Sequence, residues 1–149
     1  MRASPIRQIL VAVDLSDDGA SVCTFAKTLA ATIGADLTAV YVVESLPEGL
    51  MGLDLPALRS EDAVPELEQE ALRALRDHAL ANLGEGVGLH VTAGDPAEEI
   101  LRVASARNAD LVVLGNHGRR GLARALYGST VQRVVEAARF PVLAVPLPA

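Results

Sequence analysis

Aromatic side chains are nearly missing from this sequence: two Phe, two Tyr and no Trp among 149 residues. The core must therefore be aliphatic, and the stacking platforms that hold single-stranded nucleic acids are absent. Cysteine occurs once, at Cys23, so no disulfide can close within the chain, which fits a reducing compartment. Its neighbours Ala20 and Lys27 set it in a helical pattern of small apolar residues, and it reads as a buried structural thiol. Lysine also occurs once, at Lys27. That excludes a Walker A loop, which ends in Gly-Lys-[Ser/Thr]. No stretch approaches the roughly 20 apolar residues of a membrane span. Met1–Gln8 is too short and polar to lead a secretory signal. The expected address is cytoplasmic. Basic charge is in deficit as well: the formal net charge is −6, which argues against a nucleic-acid polymer as partner, because such binding needs Lys and Arg to neutralise phosphates. His and Cys do not cluster at metal-ligand spacing, and neither a Ser-His-Asp pattern nor a G-x-S-x-G elbow occurs.

What is present is an ordinary globular composition, 50% hydrophobic and 21% charged. Its length favours one domain over residues 1–149, with a core that needs no metal. Four β-branched aliphatic runs, Ile9–Val13, Leu37–Val43, Leu111–Leu114 and Val142–Val145, read as strands covered on both faces. Gly88–Thr92 alternates and reads as an edge strand. Ser16-Asp17-Asp18 opens a helix that runs to Ile33 and stops at Gly34. Pro65 fits the first turn of another, ending at Leu83, with Leu67, Ala71, Leu75 and Leu83 as its buried stripe. Asp95-Pro96 caps a third, with Ile100, Val103 and Ala104 inward, and the last is expected from Ser129 to Ala138 with Val131, Val134 and Val135 apolar. Strands alternating with helices imply βαβ units: an α/β fold with a five-stranded parallel, doubly wound sheet and helices on both faces. Ligands on such sheets bind at the carboxyl ends of strands, near the switch in strand order. Asp14-Leu15-Ser16 and the segment from Gly115 onward occupy those places. Residues 44–64, with Pro47, Gly49, Gly52 and Pro56, form a connection long enough to be a lid, a partner surface or a flexible segment.

Residues 115–130 read GNHGRRGLARALYGST. Gly115, Gly118, Gly121 and Gly128 permit close backbone approach and can turn N–H groups toward an anion. Gly128-Ser129-Thr130 would then place hydroxyls and free N–H groups at a helix N-terminus. From Asn116 to Phe140 stand five arginines, Arg119, Arg120, Arg124, Arg133 and Arg139, against the single acid Glu136. A basic segment around glycines in an acidic chain suits a small polyphosphate, with Arg119, Arg120 and Arg124 as clamps; the plainer alternative is glycines that make turns and arginines in solvent. The loop is neither spaced nor placed like a G-x-G-x-x-G dinucleotide fingerprint. A phosphoacceptor built on Asp14, Asp17 and Asp18 lacks a lysine after the last strand, which ends Val145-Pro146. His117 sits in the loop and reads as a positioning residue, while His78 and His90 read as solvated.

The spacing Gly115-x2-Gly118-x9-Gly128-Ser129 resembles the ATP-binding signature G-x2-G-x9-G-[S/T] of the universal stress protein family. The resemblance runs along the chain, through ILVAVDLS at 9–16, the strand 36–43, GDPAEEIL at 94–101, ADLVVLGNHG at 109–118 and FPVLAVP at 140–146. Leu15 departs from a common glycine and Asn116 from a common serine or threonine. The resemblance implies a Rossmann-like, adenine nucleotide alpha hydrolase-like fold and binding of ATP with Mg²⁺. It also implies roles for particular residues. Val13 and Asp14 would lie against the adenosine, Val42 on the adenine face, and Leu114 would close the pocket. Gly115, Gly118, Gly128, Ser129 and Thr130 would hold ribose and phosphates, with Arg119 beside them. A homodimer through Val142–Val145 is implied too, with Pro146 and Pro148 limiting its ladder. The expected role is a nucleotide-dependent stress or signalling function. A slow ATPase or phosphotransferase on the same loop, or a nucleotide-free dimerisation module, is the alternative.

Overall fold

The computed structural model describes residues 4–44, 63–116 and 124–147, with the side chains of 44, 63–67 and 124–129 left aside. Most of the long connection, and His117, Gly118, Arg119, Arg120 and Gly121, lie outside the described residues. The elements run β1 (Gln8–Ala12), α1 (Asp17–Ile33), β2 (Asp36–Glu44), α2 (Ala63–Asn82), β3 (Gly88–Gly94), α3 (Pro96–Ala106), β4 (Leu111–Asn116), α4 (Arg124–Ala137) and β5 (Val142–Pro146). They form one five-stranded sheet in the order β3-β2-β1-β4-β5, with every pairing parallel. The order reverses between β1 and β4.

Residue alternation along the strands divides the core. Ile9, Val11, Ala39, Leu111 and Val113 face α1 and α2, where Val22, Cys23, Ala26, Leu75, Ala79 and Leu83 cover them. Leu10, Val40, Val112 and Leu114 face α3 and α4, against Ala97, Ile100, Val103, Ala104 and Val134. Each fully buried Val, Leu or Ile contributes about 1.5–3 kcal/mol. Both faces are dry, which explains why β1 and β4 read as unbroken aliphatic runs.

The amino ends of the central strands are fastened by carboxylates. Asp110 Oδ2 accepts the backbone N–H groups of Arg7 and Gln8, each at 2.9 Å. These bonds hold the Asp110 carboxyl below the usual carboxylate range. Gln8 Nε2 donates to Asp36 Oδ2 at 3.3 Å beside them.

Three local expectations change. The last helix begins at Arg124, well before Ser129. Arg124, Ala125 and Leu126 are strong helix formers, and one interior glycine costs only about 1 kcal/mol. Gly128, Ser129 and Thr130 therefore lie inside the helix, so their N–H groups are not the free donors of an N-terminus. Val135 on that helix is 53% exposed, while Val134 is buried. His78 and His90 are half-buried rather than solvated. His78 Nε2 stands 3.8 Å from Cys23 Sγ between α1 and α2. His90 Nδ1 lies 3.3 Å from Arg107 Nη2, and burial, then Arg107 and Arg102, push its pKa down. Cys23 is buried as expected, and burial, with the Asp14 charge adding, pushes its thiol up to about 11. Among the described residues no helix is long and apolar enough to cross a membrane.

Candidate functional site

The sheet opens where its order reverses. The pairing of β1 with β4 ends at Val11↔Val113 and that with β2 ends at Ala12↔Val40. β2 continues alongside β3 to Glu44↔Gly94, and β4 continues alongside β5 to Asn116↔Pro146. The chain after β1 turns away into α1, so a crevice is left between two strand pairs at their carboxyl ends. Its volume is about 800 Å³, within the roughly 300–1,000 Å³ of small-molecule sites.

The floor and one wall come from Ala12, Val13, Val40, Val42 and Leu114, with Ile100 and Pro96 contributed by the start of α3. Asp14, Ser16 and Asp18 line the turn into α1. Thr130 and Val131 of α4 line the opposite side, with Gly115, Val22 and Leu147. Six of the residues expected at a site, Val13, Asp14, Val42, Leu114, Gly115 and Thr130, therefore share one cleft. Gly118 and Arg119 lie outside the described residues; Gly128 and Ser129 are placed in α4 by the backbone, the Ser129 side chain being undescribed.

The turn that carries Asp14 follows from its sequence. Leu15 takes a positive φ of 63°, a conformation glycine adopts more readily than a residue with a β-carbon. That reversal brings Ser16 back onto Asp14: Oδ1 accepts from Ser16 N at 2.9 Å and from Ser16 Oγ at 2.6 Å. Ser16 Oγ in turn accepts from Gly19 N at 3.0 Å and caps α1. Gly19 is glycine for a spatial reason, because a Cβ there would run into the Asp14 carboxylate. The chain of bonds fixes a carboxylate at the rim of an apolar cavity.

Gly115 is constrained in another way. A Cβ on it would stand 2.9 Å from Val22 Cγ2 and 3.0 Å from Leu147 Cδ1. This glycine is needed for packing within the protein, whatever the cleft holds. Arg133, counted in the basic segment, is engaged elsewhere: Nη1 donates to Asp95 Oδ1 at 2.9 Å, and Nη2 lies 3.9 Å from Glu98. Asp95 also caps α3 by accepting from Glu98 N at 3.0 Å, so the pair ties α4 to the start of α3. The Arg133 bond is the main reason the Asp95 carboxyl lies low.

Gly19, Pro96, Ile100 and Leu147 also line the cleft and were not expected there from the sequence. Pro96 and Ile100 carried a usable signal, since α3 begins at the carboxyl end of a strand next to β2. Leu147 carried none, lying in a Pro-Leu-Pro tail beyond the last strand.

The fold has counterparts among solved structures. The sequence matches the universal stress protein family over residues 5–146. It is 34% identical over 146 residues to universal stress protein MJ0531 of Methanocaldococcus jannaschii, covering 95% of this chain and 83% of that protein. The solved structure of the hypothetical protein MJ0577 shares the fold with a TM-score of 0.76 at 20% identity, covering 98% of this chain and 99% of that one; that protein is also from Methanocaldococcus jannaschii. A universal stress protein solved in complex with cAMP shares it with a TM-score of 0.67 at 24% identity, over 95% and 98% of the two chains. The chain belongs to the universal stress protein family.

Proposed function

We propose that the cleft binds an adenine nucleotide, ATP together with Mg²⁺, and that occupancy biases pairing of two copies of the chain in a stress or signalling role. The observation that carries this reading is a cleft with apolar walls and a fastened carboxylate, set at the strand-order reversal. The chemistry fits the ligand. Val13, Val42 and Leu114 grip the faces of the base, which in an aromatic-poor chain must be held by aliphatic contact. Val40 O accepts from Val13 N at 2.9 Å. Strand alternation points the peptide groups of Val42 the same way, past the end of β1, where they meet the edge of an adenine. Asp14 takes hydrogen bonds from the ribose or the adenine amino group.

Asp14 and Asp18 both line the α1 side, and the phosphates are assigned to the other side, toward Gly115 and Thr130. Gly118, Arg119, Gly128 and Ser129 lie next to these in sequence and complete the phosphate end. Among the described residues no three His, Cys, Asp or Glu side chains stand together as a metal cage. Mg²⁺ would take its ligands chiefly from phosphate oxygens and water, supplying charge neutralisation. A family member of the same fold solved with cAMP, itself an adenine nucleotide, supports this ligand class.

The dimer is assigned to the β5 edge, Val142–Val145. Val112 N donates to Pro141 O and Leu147 N to Asn116 O, so odd-numbered residues of β5 face β4 and Val142, Ala144 and Pro146 face outward. Pro146 then forfeits no bond to β4. Outward N–H groups at Val142 and Ala144 can meet outward carbonyls of a second copy about a two-fold axis. The domain spans 1–149 and works in the cytoplasm, in keeping with its lone cysteine. Amide hydrogen exchange with and without ATP and MgCl₂ tests the site. Slowed exchange is expected over residues 13–19 and 40–43; unchanged exchange there contradicts the reading.

A further inference from the structure

Leu147 belongs to two parts of the molecule at once. Its N–H donates to Asn116 O at 3.2 Å, the last bond between β5 and β4 among the described residues. Its side chain lines the cleft. Cδ1 and Cγ lie 3.0 and 3.3 Å from the point where a Cβ on Gly115 would stand, with Val22 Cγ2 at 2.9 Å from the same point. The absent Gly115 side chain is thus filled by a residue one position past the end of β5. The apolar contact extends to the cluster under α1 and α2, where Val145 and Leu147 both pack.

The backbone on either side is stiff. Pro146 fixes its own φ, and Pro148 in the sequence confines Leu147 to extended conformations. A displacement of the Leu147 side chain by a bound molecule therefore cannot be absorbed by rotation of its own backbone. What the side-chain rotamers do not take up would fall on Pro146 and Ala144, two of the outward-facing residues of the edge strand.

We infer that Leu147 is a positioning residue that couples occupancy of the cleft to pairing of the β5 edge with a second copy of the chain. The inference rests on the nucleotide-binding and dimer reading above and names its regulation. A ligand that touches Leu147 selects one placement of the Pro146–Leu147 segment, and that placement sets the outward hydrogen-bonding line of Val142 and Ala144. Coupling of this kind is reciprocal: the factor by which ATP changes dimer affinity is the factor by which the dimer changes ATP affinity.

The test measures dimer dissociation by sedimentation, with and without ATP and MgCl₂, and ATP affinity by calorimetry on either side of that dissociation constant. The wild-type chain is expected to show a linkage of about fivefold or more. Leu147→Ala is expected to bind ATP and to dimerise, yet with linkage below about twofold. Leu147→Met, which keeps length and apolarity, restores it. Circular dichroism confirms that both variants are folded, and Val91→Ala, in the same apolar cluster but outside the cleft and β5, is expected to keep the linkage. Linkage retained in folded Leu147→Ala overturns the inference and leaves the nucleotide reading standing, as does a wild-type chain that binds ATP and dimerises without linkage. A wild-type chain that binds no ATP overturns both.

Discussion

The two ends of the sheet each hold an aspartate, and they use it oppositely. At the amino end Asp110 is consumed by the fold: its Oδ2 takes two backbone N–H groups that would otherwise be left at the entry to β1. At the carboxyl end Asp14 is held by Ser16 on one oxygen, at the rim of a cleft of about 800 Å³. The first carboxylate joins strands. The second is presented to a cavity, and Gly19 keeps space for it at the cost of helix propensity. Similar hydrogen bonds at the two ends thus separate stability from binding, and substitutions should separate them too.

The largest effect is expected at Asp14. Asp14→Ala removes a charged partner of the nucleoside and should weaken ATP by about 10–100-fold, the equivalent of about 1.5–3 kcal/mol for a charged hydrogen bond. Its chemical unfolding should change by about 1 kcal/mol or less. Calorimetry beside urea denaturation reads both. Gly115→Ala should do the reverse on the stability axis, costing about 1–3 kcal/mol by forcing Val22 and Leu147 apart.

Leu15 gives a finer comparison. At φ 63° a β-carbon is strained, so Leu15→Gly should be more stable than Leu15→Ala by about 1 kcal/mol, although glycine is ordinarily the worse substitution. Equal denaturation midpoints would show that the turn carries no strain.

The smallest effect is expected at Asp110, which is exposed to solvent screening. Its folded pKa is depressed by the Arg7 and Gln8 N–H groups. Its contribution is therefore complete above the roughly 3.9 of an unfolded aspartate and vanishes as pH falls through the lower folded value. Asp110→Asn should flatten the loss of stability in acid and leave ATP affinity of the folded protein unchanged. Asp95, held low chiefly by Arg133, and Glu99, held low chiefly by Arg102, act with the same sign, so part of the slope should persist.

The sheet was legible because its signals are short-range and redundant. Ile9–Val11 and Leu111–Leu114 are aliphatic at every position, and only a strand covered on both faces requires that. Ser16, Gly34 and Asp95-Pro96 mark helix ends by local chemistry that the structure repeats. The crevice could be located because the carboxyl-end rule needs only the strand directions.

What stayed hidden depends on residues distant in sequence. Arg133 looks like part of a phosphate clamp until Asp95, 38 positions away, is seen to hold it. His78 looks solvated until Cys23 is found across the helix pair. Gly115 looks like a ligand-facing glycine, yet Val22 and Leu147 already account for it. The start of α4 was misplaced because Gly128-Ser129 imitates a cap while Arg124-Ala125-Leu126 carries the helix through it.

The most direct measurement of the central claim is a calorimetric titration of the purified chain with ATP in MgCl₂, repeated with Asp14→Ala and Asp110→Asn. Binding well below a millimolar dissociation constant is expected for the wild type and for Asp110→Asn, and at least about tenfold weaker binding for Asp14→Ala. No heat of binding to the wild type at millimolar ATP, or equal affinity in Asp14→Ala, would contradict that claim.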